Sequence, residues 1–275
     1  MVEHRSPKPR VGGSSPSAPA SSRKQGQRFN RAPKFRDRGP VDESLYIFGI
    51  HPVRAALDNP ARRKRALLAT PNALNRLREM GPLPQVDIRD IAIRDLDRML
   101  GKDAVHQGAA LKVEALPRKP ISDLRRAKLV VVLDQVTDPH NVGAILRTAC
   151  AFGADALLTT ARHAPRETSV LAKSASGALD MMDFIEVKNL ADAIGELRSL
   201  GFVTLGFDSE AGEAMAPGIA GEKTAILLGA EGKGLRQKTR SLCDRLLRLD
   251  MPGKIKSLNV SNAAAIALYA VTSVR

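Results

Sequence analysis

Aromatic side chains are scarce in this chain: seven Phe, two Tyr and no Trp among 275 residues. Proteins that read single strands usually stack bases on aromatic platforms. Any nucleic-acid binding here is therefore left mainly to charge and shape. Cysteine is also rare, and Cys150 and Cys243 stand in no CxxC or Cys/His spacing. Neither a disulfide framework nor a zinc site is expected, and a reducing cytoplasm fits. No apolar run approaches the ~18 residues a membrane span needs. The basic N-terminus is followed by no apolar segment, so a secretory signal is not expected, and the chain reads as soluble. Four motifs are missing as well: GxGxxG after a strand, a P-loop lysine, HExxH and GxSxG. Their absence removes the strongest sequence support for nicotinamide enzymes, nucleotide triphosphatases, zinc proteases and serine hydrolases.

What the chain has in excess is positive charge. Forty-three Lys and Arg face 29 Asp and Glu, a formal +14, and that sign and size point to a polyanion, nucleic acid before membrane. The length suits two domains. Ten cations in the first 40 residues, from Arg5 to Arg38, face only Glu3 and Asp37. With Ser, Pro and Gly filling most of the rest, residues 1–44 are expected to be a disordered basic tail. It is either a solubiliser or an RNA tether. From residue 45 to 117 short apolar runs alternate with amphipathic stretches, predicting a small α/β domain. Tyr46-Ile-Phe48 leads into a helical segment at Pro52–Leu57; strands are expected near Ala66–Ala69, Gln85–Ile88 and Ala109–Leu116, with further helices at Ala73–Met80 and Ile91–Leu100. The cluster Arg62-Arg-Lys-Arg65 is expected on the surface, either solvated or on phosphate. Residues 118–127 read as a linker.

The second domain, 128–275, opens on Leu129-Val-Val-Val-Leu133, a run suited to a strand covered on both faces. Five more strands alternate with helices near 141–152, 167–175, 190–200, 234–243 and 261–273, predicting a mostly parallel sheet between helical layers. Three segments could carry chemistry. Asp134–Ala149 runs from a strand into a helix that Asn141 is placed to cap. On it Val142, Ile145, Leu146, Ala149 and Phe152 share one face, with Arg147 nearly opposite. Gly143 and Ala151 are expected to leave the surroundings of Arg147 open to a ligand or another chain. Leu227–Gly234 is a strand ending in a glycine-rich turn, where ligands of open α/β sheets bind. Glu231 is expected at its mouth. In Leu249–Tyr269, Ser257, Asn259 and Ser261 precede a helix apolar on nearly every side, expected to be buried. These polar groups either cap it or line a site. An exposed arginine, a tight turn and a cap are the bland alternatives for the three.

In this order the three segments closely resemble the motifs of the SpoU family, the ribose 2′-O-methyltransferases of the SPOUT superfamily. The match runs over about 128–275, through Asp138-Pro-His-Asn-Val-Gly-Ala-Ile-Leu-Arg147, Leu228-Gly-Ala-Glu-Gly232 and Ser257-Leu-Asn-Val-Ser261. Tyr46-Ile-Phe-Gly-Ile-His-Pro-Val and Val105-His-Gln-Gly-Ala-Ala-Leu resemble the family's L30e-like RNA-binding domain, found in members that act on a guanosine of 23S rRNA more than in the tRNA members. One departure is Leu249-Asp-Met-Pro252, where the family often has Ile-Pro-Met.

The resemblance implies a deep trefoil knot in the parallel-sheet domain, a homodimer with a shared active site, and S-adenosyl-L-methionine as methyl donor. Gly229, Leu249 and Leu258 would hold the donor, with Leu205 and Gly206 nearby. Asn141, Arg147, Glu231, Ser257 and Asn259 match the family's functional positions. Arg147 is expected to clamp phosphate and stabilise the ribose oxygen, since a guanidinium is a poor general base. Asn141 would orient the ribose or the arginine, Ser257 and Asn259 would shape the pocket, and Glu231 would organise its loop. No metal is implied. A tRNA substrate and a non-catalytic ribosome-assembly factor are the competing functions. His106 and His140 are expected to be structural or RNA-facing, and both cysteines small buried hydrophobes.

Overall fold

Two sheets organise the residues that the computed structural model describes, 45–165, 167–216 and 218–273; the expected basic tail lies outside them. The first sheet takes β1 (Leu45–Phe48), β2 (Lys64–Ala69), β3 (Asp87–Asp90) and β4 (Ala109–Val113) in the order β1-β4-β2-β3. β4 is antiparallel to both neighbours, and β2 and β3 are parallel. Helices α1 (Ile50–Asp58), α2 (Pro71–Glu79) and α3 (Ile93–Leu100) connect the strands. The third strand begins two residues later than its apolar pattern suggests, and all four of its residues are exposed. It is a short, charged edge, which resists pairing with other chains.

The second sheet is parallel throughout: β5 (Leu129–Asp134), β6 (Ala156–Thr160), β7 (Asp183–Val187), β8 (Val203–Phe207), β9 (Glu213–Ala214), β10 (Thr224–Gly229) and β11 (Arg245–Arg248), in the order β7-β6-β5-β10-β8-β11-β9. Alternate residues of the central strands feed two cores. Leu129, Val131, Leu133, Ile226 and Leu228 pack under α4 (Pro139–Ala151), α5 (Ser169–Ala175) and α8 (Val260–Thr272). Val130, Val132, Ala225 and Leu227 pack under α6 (Leu190–Ser199). Covering on both faces is why these strands read as unbroken apolar runs.

Three local expectations are corrected, and one short strand is added. Residues 118–127 are no free linker: a 3₁₀ turn at Ile121–Arg126 buries Ile121 and Leu124 in the α6 core. The helix expected over 234–243 shrinks to α7 (Gln237–Arg240). The two-residue β9 was too short to register as a pattern. The last helix is not apolar-buried all round. Val260, Ala264, Ala267, Leu268 and Val271 face the core, while Ile266 (45% exposed) and Tyr269 (62% exposed) face outward. Among the described residues no helix is long and apolar enough to cross a membrane.

Candidate functional site

The strand order reverses between β5 and β10, so the loops leaving their carboxyl ends diverge and open a crevice. Strain marks the spot: Gln135, directly after β5, has φ of 62°, a left-handed conformation uncommon for a side chain with a Cβ. Asp134, 1% exposed, ends β5. Its Oδ2 accepts hydrogen bonds from Arg236 N (3.1 Å) and Thr239 Oγ1 (2.7 Å), and its Oδ1 accepts from Arg236 Nε (2.7 Å). This buried carboxylate pins the far end of the glycine-rich loop and holds Arg236 out of the helical turn. With Arg236 as the cap, α7 begins only at Gln237.

The near end of the loop is fixed by packing. A methyl group at Gly229 would run into the backbone of Gly234 and Leu235, so the turn folds back on the strand end with no room for a side chain. Beyond it lies a cavity of about 190 Å³ lined by Phe207, Asp208 and Ser209 at the end of β8, Leu228–Gly232 and Gly234 at the end of β10, Leu249 and Met251 after β11, and Lys256–Leu258, Val260 and Ala263 around the start of α8. Gly229, Leu249, Leu258, Glu231 and Ser257 thus share one wall system. Leu205 and Gly206 stay outside it. Leu205 is fully buried, and a methyl group at Gly206 would meet Cys243 Sγ at 2.6 Å. The lining begins one residue later, at Phe207. Asp208 was not anticipated by sequence; its Oδ2 lies 3.3 Å from Arg240 Nη1. Only its position at a strand's carboxyl end could have signalled it.

At the lip, three distant segments meet through their polar side chains. Asn259 Nδ2 donates to Glu231 Oε1 (2.6 Å) and Asn141 Oδ1 (3.0 Å), and Asn141 Nδ2 donates to Glu231 Oε1 (3.1 Å). Val260 N also donates to Glu231 Oε1, at 3.3 Å. Three donors on one oxygen suit a carboxylate, and its place at the N-terminus of α8 suits negative charge. Asn259 also caps that helix, its Oδ1 accepting from Ser261 N at 2.8 Å and Ser261 Oγ at 2.5 Å. Cap and site residue are one side chain.

Two expectations about α4 are corrected. Its cap is Asp138, which accepts from His140 N at 3.1 Å, with Pro139 in the first turn. Asn141, one residue further in, is thereby free to turn its amide to Glu231 and Asn259. Gly143 does not open space beside Arg147. A Cβ there would strike Ser174 and lie 3.0 Å from Ala175 N, so the glycine lets α5 close on α4. Arg147 itself is exposed, forms no ion pair among the described residues and does not line the cavity. At 100° per residue it points well away from Asn141.

The remaining candidates are quickly placed. His106, 6% exposed, accepts from Gly108 N through Nδ1 (3.1 Å), leaving Nε2 to donate to Asp97 Oδ1 (3.0 Å). It is a structural residue. His140 is exposed, with Nδ1 3.3 Å from Ser174 Oγ. Burial, aided by the charges of Asp244 and Asp134, pushes the Cys243 thiol up to about 12. Burial raises Cys150 as well. Both side chains are half-buried, not enclosed in the core as expected. No group of three or more His, Cys, Asp or Glu among the described residues is placed to hold a metal ion.

Comparison with known proteins places this geometry among relatives. The profile of the SpoU rRNA Methylase family matches residues 128–269, and that of the RNA 2′-O ribose methyltransferase substrate binding family matches 46–118. The chain is 35% identical over 237 residues to the 23S rRNA (guanosine-2′-O-)-methyltransferase RlmB of Nitrosomonas europaea, covering 83% of this chain and 91% of that one. It is 36% identical to the RlmB of Pseudomonas syringae pv. tomato, covering 81% and 93%. Among solved structures, the AdoMet-bound rRNA methyltransferase of Sinorhizobium meliloti superposes with a TM-score of 0.70 at 20% identity, covering 83% of this chain and 87% of that one. A likeness at that identity is one of fold.

Proposed function

The chain belongs to the SpoU rRNA methylase family, and from that premise we propose that it transfers the methyl group of S-adenosyl-L-methionine to the 2′-hydroxyl of a guanosine in 23S rRNA. The observation that carries the reading is the contact of Asn141, Glu231 and Asn259 at the lip of a single cavity, three residues that the sequence holds far apart. The relatives that cover both regions of the chain are named for this guanosine methylation, and residues 46–118 match a substrate-binding family.

The cavity's lining suits such a donor. Phe207, Leu228, Leu249, Leu258 and Val260 offer apolar walls for a flat base, while Asp208, Glu231, Lys256 and glycine backbone offer partners for hydroxyl, amino and carboxylate groups. The donor supplies an electrophilic methyl carbon on a sulfonium. Gly229, Leu249 and Leu258 hold it, and Ser257 lines the entrance. Glu231 sets the geometry of the lip: with Oε1 bonded to Asn141, Asn259 and Val260, it fixes both amides in place. Arg147 grips a phosphate and favours negative charge on the ribose oxygen.

Arg147 does not line the cavity of its own chain, and in this reading a second copy supplies it, so that the working unit is a homodimer with a shared site. Its exposure, and the outward Ile266 and Tyr269 on the neighbouring α8, support that reading. In the same reading the C-terminal segment is threaded into a trefoil knot. Insertion of β10 between β5 and β8, and the meeting of 229–234 with 249–258 in one cavity, are the support. Residues 45–117 bind RNA, 128–275 transfer the methyl group, and the enzyme works in the cytoplasm. The test is incubation of the dimer with methyl-labelled donor and unmodified 23S rRNA, with tRNA in parallel. Label confined to 2′-O-methylguanosine of the rRNA is expected. No incorporation, or incorporation into tRNA alone, refutes the assignment.

A further inference from the structure

The basic cluster Arg62-Arg-Lys-Arg65 does not stay together on the surface. Arg63 and Arg65 are exposed and pair with Glu114, but the Arg62 side chain is fully buried. Its Nε and Nη2 donate to Asp180 Oδ1 (2.8 Å) and Oδ2 (3.1 Å), and its Nη1 donates to Glu167 and to Glu114 O (3.0 Å). Both carboxylates have a further partner: Glu167 Oε2 accepts from Leu116 N (2.9 Å), and Asp180 Oδ1 accepts from Asn59 Nδ2 (3.0 Å). Burial works against the charge on Arg62, but the two carboxylates more than offset it and hold the group above its ordinary pKa.

Apart from the bond to Glu114 O, the bonds of Arg62, Asn59 and Leu116 named here all run to Glu167 or Asp180, and so join residues 59–116 to the segment 167–180. Two further contacts do the same. Ser169 Oγ donates to Tyr46 O (2.6 Å), and Gly177, with φ of 97°, lets α1 approach so closely that a Cβ there would lie 2.8 Å from the Ala55 methyl. The segment 167–180 contains α5, and α5 lies on α4 across Gly143. Helix α4 carries Asn141 and Arg147. One continuous path of close contacts therefore runs from the basic cluster to the lip of the cavity.

We propose that Arg62 is a positioning residue: through Asp180 and Glu167 it locks the first sheet in fixed register to the α5–α4 pair, so that RNA held by residues 46–118 presents its ribose to Asn141 and the cavity. The inference rests on the function proposed above. A buried ion triad is a poor way to gain stability, since apolar residues of similar volume often do as well or better. What it adds is direction. Five guanidinium N–H groups in a rigid fork admit one orientation of their acceptors, whereas an oily interface tolerates several.

Two variants test this. Arg62→Gln leaves two carboxylates unpaired, and the triple variant Arg62→Met, Glu167→Gln, Asp180→Asn removes the charges together. Both are assayed as full chains for donor binding by calorimetry and for methyl transfer to 23S rRNA. The distance between the sheets is read from spin labels at Arg98→Cys and Lys188→Cys, in a background of Cys150→Ala and Cys243→Ala diluted with unlabelled protein. In the triple variant donor affinity stays within about twofold, the distance distribution broadens, and KM for rRNA rises about tenfold or more while kcat changes less, because loss of fixed geometry lowers the effective concentration of the tethered substrate. A narrow wild-type distribution in the triple variant, an unchanged KM, or loss of donor binding with unfolding each overturns the proposal. The last would make the triad a stabiliser only. If the wild-type chain methylates no rRNA, the functional reading fails, while the distance measurement still decides whether the lock exists.

Discussion

The two sheets handle exposure in opposite ways. In the first, the outer strand β3 is exposed along its whole length and the helices α2 and α3 turn arginines outward. In the second, β5, β6 and β10 are buried almost throughout, and polar chemistry is confined to their carboxyl ends. A surface that meets a large polyanion needs charge spread over an area, and it tolerates change at any one point. A site that aligns two reacting groups needs a stiff floor and a few side chains held without slack. The contrast teaches that equal exposure does not mean equal consequence.

Substitutions can break that contrast. The largest effect is expected at Gly229→Ala, where the added methyl group meets backbone that cannot move without unmaking the turn. Donor affinity measured by calorimetry should fall by on the order of 100-fold or more, ~3 kcal/mol, and near-normal affinity would show the turn to be adaptable. Next is a matched pair of exposed arginines. Arg147→Ala should lower methyl transfer by on the order of 10²–10³ with donor affinity intact, while Arg98→Ala on the first sheet's helix α3 should alter rRNA binding only slightly. Equal effects would erase the distinction between the regions.

A smaller effect concerns acid stability. Burial disfavours the Asp244 carboxylate, but hydrogen bonds from Thr204 N (2.8 Å) and Oγ1 (2.7 Å), together with Arg198, outweigh it and hold its pKa below the usual value. A depressed folded-state pKa gives stability that is present above the unfolded value of ~3.9 and lost as pH falls through the folded one. Denaturant midpoints should therefore drop below about pH 4 for the parent chain, and less steeply for Asp244→Asn; parallel curves would discount this carboxylate. Smallest of all, Ile88→Thr on the exposed β3 should shift stability by no more than ~0.5 kcal/mol.

The sequence told most where a pattern is local. Leu129–Leu133 and Ala225–Leu228 are unbroken apolar runs because both faces are covered, and they were legible as such. The lip residues were legible through motif resemblance, with Asn141, Glu231 and Asn259 meeting as neighbours. Features set by distant partners were not. Arg62 looked like one more surface cation because Asp180 and Glu167 lie over a hundred positions away. Gly143 looked like open space because the helix that fills it, α5, comes later in the chain. The cap of α4 went to Asp138 because Pro139 sets the first helical residue, a local rule that the stronger motif around Asn141 obscured.

The placement of β10 bears on how the protein is made. Its neighbours β5 and β8 both precede it, and Gly229 pairs with Asp134 far upstream. During synthesis the middle of the sheet must stay vacant until β10 emerges, and the crevice cannot be finished until α8 has left the ribosome. Contacts of such long sequence separation form slowly. Activity in a growing chain should therefore be absent until α8 is free to pack beside the crevice.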